Sequence, residues 1–154
     1  MSIQFSKELI KGRIAEVIFE QMLRDEGRYT VIPFGYEHTV PTLSQYQHFV
    51  EIKRVMDNIK DAPDFALISN DKREVFLVEV KYRSSINHGE LKESAEKLLG
   101  RWNPSWIFVA TQNQFFCAPT SAIAKEGKIS PLSESWVAAD RQTQYLNLLK
   151  EFIR

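Results

Sequence analysis

The chain has 154 residues, 44% of them apolar and 26% charged, with six glycines and six prolines. That composition excludes a disordered tail, a collagen-like repeat and a disulfide mini-scaffold, and it suffices for one core of ordinary size. Twenty basic residues balance twenty acidic ones, so the sequence lacks the excess positive charge of a protein that coats nucleic acid.

In chain order, Lys7 and Glu8 stand where a signal peptide needs an apolar core, and no run of about 18 apolar residues follows. The expectation is a cytoplasmic protein without membrane attachment. A first helix is predicted over 7–24, with Ser6 as N-cap, an apolar stripe of Ile10, Ile14, Val17, Ile18 and Met22, and Gly27 as its end. Residues 29–34 read as a strand in which Pro33 signals an edge or a bulge. An insertion of about 38–61 follows, where Thr42 and Gln45 have capping-box spacing and Ile52, Val55, Met56 and Ile59 form a narrow helical stripe. Residues 64–69 and 74–82, joined by the polar turn 70–73, read as a hairpin.

Leu91, Ala95, Leu98, Leu99 and Trp102 then mark an amphipathic helix that Gly100 and Pro104 help to end. The apolar run 105–111 reads as a strand buried on both faces, and 115–118 as one further strand. That last stretch holds the single cysteine, Cys117, which excludes an internal disulfide and a Cys-based zinc site and fits a reducing compartment. A C-terminal helix over 140–154, capped by Asp140, presents Tyr145, Leu146, Leu149, Phe152 and Ile153 on one face. The expectation is a single α/β domain, 1–154, with a mixed central sheet flanked by helices.

Chemistry concentrates at Glu79-Val80-Lys81. On a strand, Val75, Leu77, Glu79 and Lys81 share one face, which changes from apolar to charged partway along. A carboxylate and an ammonium in that place need each other, a metal, a substrate or water. Asp64 opens the neighbouring hairpin strand, and two carboxylates held together repel unless a cation sits between them. Oxygen ligands without Cys or a spaced His pair favour Mg²⁺ or Mn²⁺ over zinc. Lys81 would then stand beside a metal-bound water, which points to phosphodiester hydrolysis. On the first helix Glu16 interrupts a second stripe of Leu9, Gly12, Phe19 and Leu23, and helical geometry favours it over Glu20 as a functional carboxylate.

Pro63-Asp64, fourteen intervening residues and Glu79-Val80-Lys81 resemble the motif of the PD-(D/E)xK, restriction-endonuclease-like nucleases. Lys11-Gly12-Arg13-Ile14-Ala15-Glu16 is similar to the opening of the Holliday-junction-resolvase-like branch. The resemblance implies an αβββαβ core, with the helical insertion before the Asp-bearing strand as a departure from the compact resolvases. It also implies metal held by Asp64, Glu79, the Val80 carbonyl and Glu16, with Lys81 serving the attacking water. The function expected is metal-dependent cleavage of DNA, duplex or branched, in repair, recombination or restriction, with a second copy of the chain as a candidate partner. The alternative is a non-catalytic nucleic-acid-binding or assembly module on the same fold.

Other signals are weaker. Lys11, Arg13, Arg83, Lys92, Lys97 and Arg101 are candidates for phosphate contacts. His38, His48 and His88 lack the mutual spacing of a metal site and read as surface or loop residues. Trp102 and Trp106 read as core rather than as stacking platforms for bases.

Overall fold

The computed structural model describes residues 2–34 and 62–153. The insertion expected over about 38–61, together with His38, His48 and the second helical stripe, lies outside the described residues.

The first helix, α1 (Ile3–Glu26), starts four residues earlier than its apolar spacing predicts. Ser2 caps it by accepting from the Phe5 backbone N–H at 3.2 Å. Ser6 therefore lies inside the helix, because a serine three residues before a free N–H satisfies the first turn wherever it occurs. Gly27, at φ 73°, closes the helix with its N–H on the Leu23 carbonyl, a left-handed cap that glycine adopts without steric cost.

Five strands form one sheet in the order β1 (Tyr29–Pro33), β2 (Phe65–Ser69), β3 (Val75–Tyr82), β4 (Trp106–Ala110) and β5 (Phe115–Pro119). All neighbours are antiparallel except β3 and β4, which are parallel. A parallel pair needs a crossover, and α2 (His88–Leu99) supplies it. Asn87 caps α2 by accepting from the Glu90 N–H at 3.0 Å. Among the described residues β1 pairs with β2 alone, which makes it an edge strand with Pro33 at its end.

Helices cover both faces. Ala15, Ile18, Phe19, Met22 and Leu23 of α1, with Leu149 of α4 (Ala139–Phe152), pack on Phe65, Leu67, Val78, Val80 and Phe108. Leu91, Ala95 and Leu98 of α2, with Ile123 of α3 (Thr120–Glu126), pack on Ile107 and Val109. Strand β4 is thus buried on both sides, as its apolar run predicts. Trp102 lies in the turn after α2 and still joins that second cluster, and Trp106 packs on Phe76 and Trp136.

Three expectations change. The buried stripe of α1 falls between the two predicted ones, so Ile10 and Val17 are exposed. Asp140 lies in the first turn of α4 instead of capping it, and Phe152 is 64% exposed. Helix α3 was not expected, because seven residues with one large apolar anchor, Ile123, are too short to show a period. Among the described residues no helix is long and apolar enough to cross a membrane.

Candidate active site

The candidate site forms where the sheet comes apart. β2 pairs with β3 from Ile68↔Val75 only as far as Phe65↔Val78. Beyond that point β3 stays with β4 as far as Tyr82↔Ala110, while β1 stays with β2 through Phe34 N–H donating to the Asp64 carbonyl at 2.8 Å. Pro63 stands at the split and has no N–H to offer a ladder. Among the described residues, the stretch 79–82 of β3 therefore has one edge without a strand beside it. Asp64 reaches across this gap, and its Oδ2 accepts from the Val80 N–H at 2.8 Å. The Val80 carbonyl projects from the same edge, since the N–H and C=O of a strand residue point the same way.

The gap opens into a cleft of about 400 Å³ that Glu16, Asp64, Glu79 and Lys81 all line. The four residues singled out as catalytic, drawn from three separate stretches of chain, thus share one cavity. Val78, Val80 and Tyr82 are buried in the core under α1, so Glu79 and Lys81 point to the other face. Their row is less buried than its apolar start suggests, for Val75 is 57% exposed and Leu77 half-buried. The charged pair at its end stands at the margin of the core, where both side chains are half-buried.

Burial pushes the Glu79 carboxyl up to about 10. A hydrogen bond with Asp64 and the charge of that group act the same way, the Glu16 charge adds to it, and Lys81 opposes it. At neutral pH and without a cation, Glu79 keeps its proton and shares it with Asp64. Two carboxyls holding one proton at an open strand edge are a donor set that a divalent cation can take over in the proton's place.

Glu16 enters from α1 and is paired with Arg13 at 3.7 Å. Among the described residues no three acidic, His or Cys side chains already stand close enough together to hold a metal ion. Of the two helix carboxylates, Glu16 lines the cleft, whereas Glu20 is held by Arg24 at 2.7 Å and does not line it.

The basic candidates divide. Arg13 and Arg83 line the cleft. Arg83 is held in place by a two-pronged pair with Glu90, at 2.6 and 3.1 Å, and by donation to the Tyr82 carbonyl at 2.7 Å. The Arg83 guanidinium in turn holds the Glu90 carboxyl below its usual range, with the Lys81 charge acting in the same direction. Lys11 packs over the Tyr82 ring, 5.6 Å from its centre, and pairs with Glu8. Lys92 and Lys97 are exposed on α2 and Arg101 on the turn beyond it, and none of the three lines the cleft. His88 sits 3.0 Å from the Gly127 carbonyl and ties α2 to the end of α3.

Glu90 was not foreseen. Its partner Arg83 lies seven residues away across an irregular turn, where neither the strand nor the helix period applies. No protein-family model and no curated protein matches this chain.

Proposed function

We propose that the protein is a Mg²⁺- or Mn²⁺-dependent nuclease of the PD-(D/E)xK, restriction-endonuclease-like kind that hydrolyses phosphodiester bonds in DNA. One observation carries this reading. Asp64 and Glu79 meet beside the edge of β3 that β2 leaves, with Lys81 two residues on and Glu16 lining the same cleft from α1. The order helix, three antiparallel strands, crossover helix and parallel strand supports the same assignment.

Asp64, Glu79, the Val80 carbonyl and Glu16 would hold the cation, an all-oxygen set suited to Mg²⁺ or Mn²⁺. When bound, such an ion acidifies a water and polarises the phosphoryl oxygen. Asp64, fixed by the Val80 N–H, lines the cleft. Glu79 must give up its proton on loading, which couples uptake to pH. The Lys81 ammonium, from the same strand face, orients the attacking water and stabilises charge developing on the phosphate. Arg13 and Arg83 stand at the rim, placed to hold neighbouring phosphates.

The test is cleavage of linear, branched and single-stranded DNA in Mg²⁺ or Mn²⁺. Wild type is expected to cut at least one of these, and Lys81→Ala and Asp64→Asn to cut it at least roughly a hundredfold more slowly. Equal cleavage by wild type and Lys81→Ala contradicts the assignment. The ion pair of Arg13 with Glu16 at 3.7 Å favours a second reading, a non-catalytic nucleic-acid-binding module. That reading predicts salt-sensitive DNA binding without turnover, unchanged in Asp64→Asn.

A further inference from the structure

Beside the acidic cleft stands a carboxylate that the proposed reaction does not use. Glu90 lies in the first turn of α2, where the Asn87 cap accepts from its backbone N–H. Its carboxylate accepts from Arg83 Nε at 3.1 Å and Nη2 at 2.6 Å, and from the Ser94 hydroxyl one turn on at 3.3 Å. Arg83 is fixed as firmly. Its backbone N–H donates to the Ala110 carbonyl at 3.0 Å, one residue past the last pair of the β3–β4 ladder, and its Nη1 donates to the Tyr82 carbonyl at 2.7 Å.

A guanidinium carries its N–H donors in one plane, one on Nε and two on each terminal nitrogen. Among the described residues the bonds to Glu90 and Tyr82 take one donor on Nε, Nη1 and Nη2, which leaves one on each terminal nitrogen. Two donors so placed match two oxygens of one phosphate. Arg83 lines the cleft and its side chain is 34% exposed, so a ligand in the cleft can reach it. On the nuclease reading of the cleft, we propose that Glu90 is a positioning residue. It holds one side of the Arg83 guanidinium and leaves the terminal N–H pair to a backbone phosphate beside the one being cut.

A loose arginine would not serve in this place. Glu16, Asp64 and Glu79 line the same cleft, and a freely turning guanidinium pairs with carboxylates as it does with phosphates. Glu90 satisfies that attraction outside the group of acids that would hold the cation. It also pins the Arg83 side chain before DNA arrives, so less rotamer freedom is lost on binding. Arg83 holds the Glu90 carboxyl below its usual range, which keeps the pair ionised at neutral pH. Both side chains are partly exposed, so their ion pair contributes little to stability and variants of it are expected to fold.

Glu90→Gln, Arg83→Lys and the double variant test this by two readouts on linear, branched and single-stranded DNA. The first is cleavage kinetics in Mg²⁺; the second is anisotropy of the same DNA, fluorescein-labelled, on a Lys81→Ala background that suppresses turnover. Each single change is expected to raise KM and the dissociation constant about tenfold and to leave kcat within about threefold of wild type. The double variant is expected to lose no more than either single one, because all three remove the same fork. Melting curves are expected to match wild type; if Glu90→Gln melts early, Arg83→Lys, which keeps the charge, decides. Unchanged KM and binding in a folded single variant overturns the proposal, as do losses that add in the double variant. Normal cutting by wild type and both single variants removes the clamp and leaves the nuclease. A wild type that binds DNA without cutting it removes the nuclease reading, and binding alone then decides the clamp. One that neither binds nor cuts overturns both.

Discussion

Glu79 is the residue on which physical chemistry makes its sharpest demands. Its carboxyl keeps its proton up to about pH 10 in the folded chain, whereas an unfolded one loses it near 4.3. Between these values the folded state binds more protons than the unfolded one, so the metal-free protein loses stability as pH rises through that window. Glu79→Gln keeps a donor for Asp64 and cannot ionise. In EDTA at pH 8 it is expected to melt about 5 °C above wild type, and at pH 4 to match it. Melting curves at the two pH values check this, and an identical pH slope in both proteins contradicts it. Added Mg²⁺ is expected to raise the melting point of wild type and to leave that of the variant nearly unchanged. Cys117 makes a simpler case. Burial pushes its thiol up to about 12, so it is expected to react with a thiol reagent at neutral pH only at the rate of unfolding.

At the level of elements, α1 serves three surfaces at once: the core, the cleft and an exposed apolar side. Gly12 sits in its interior, where a methyl group would meet nothing within 4 Å. Gly12→Ala is therefore expected to stabilise the protein by about 1 kcal/mol through helix propensity. Because Gly12 lines the cleft, the same change is expected to slow any reaction there, and a denaturant titration beside a rate measurement separates the two effects.

The multiple roles of α1 also explain which parts of the fold were legible in the sequence. Strands β2, β3 and β4 announce themselves because each has a bounded run of β-branched or aromatic residues, and Gly27 marks the helix end that φ 73° requires. The buried face of α1 was misplaced because Ile10 and Val17 are as apolar as the residues inside, and periodicity cannot tell a buried apolar stripe from an exposed one. The acids were legible for the opposite reason, since Asp64 after Pro63 and Glu79 two residues before Lys81 stand out against apolar strands. The Arg83–Glu90 clamp was not, because it spans a turn with no period.

For the whole molecule, balanced charge and a locally acidic cleft set the terms of any encounter with DNA. Few cations face the cleft, Arg13, Lys81 and Arg83 among them, so binding is expected to fall with salt along a shallow log–log slope of about −2 to −4. A slope near −10 would place DNA on a different, more basic surface. The central claim is that the Asp64–Glu79 pair exchanges its shared proton for a divalent cation. Calorimetric titration of the chain with Mn²⁺ at pH 7, in two buffers of different ionisation enthalpy, tests this most directly. The account predicts Mn²⁺ binding with release of close to one proton, and loss of both signals in Asp64→Asn. No Mn²⁺ heat with or without DNA, or binding that Asp64→Asn leaves unchanged, would contradict it.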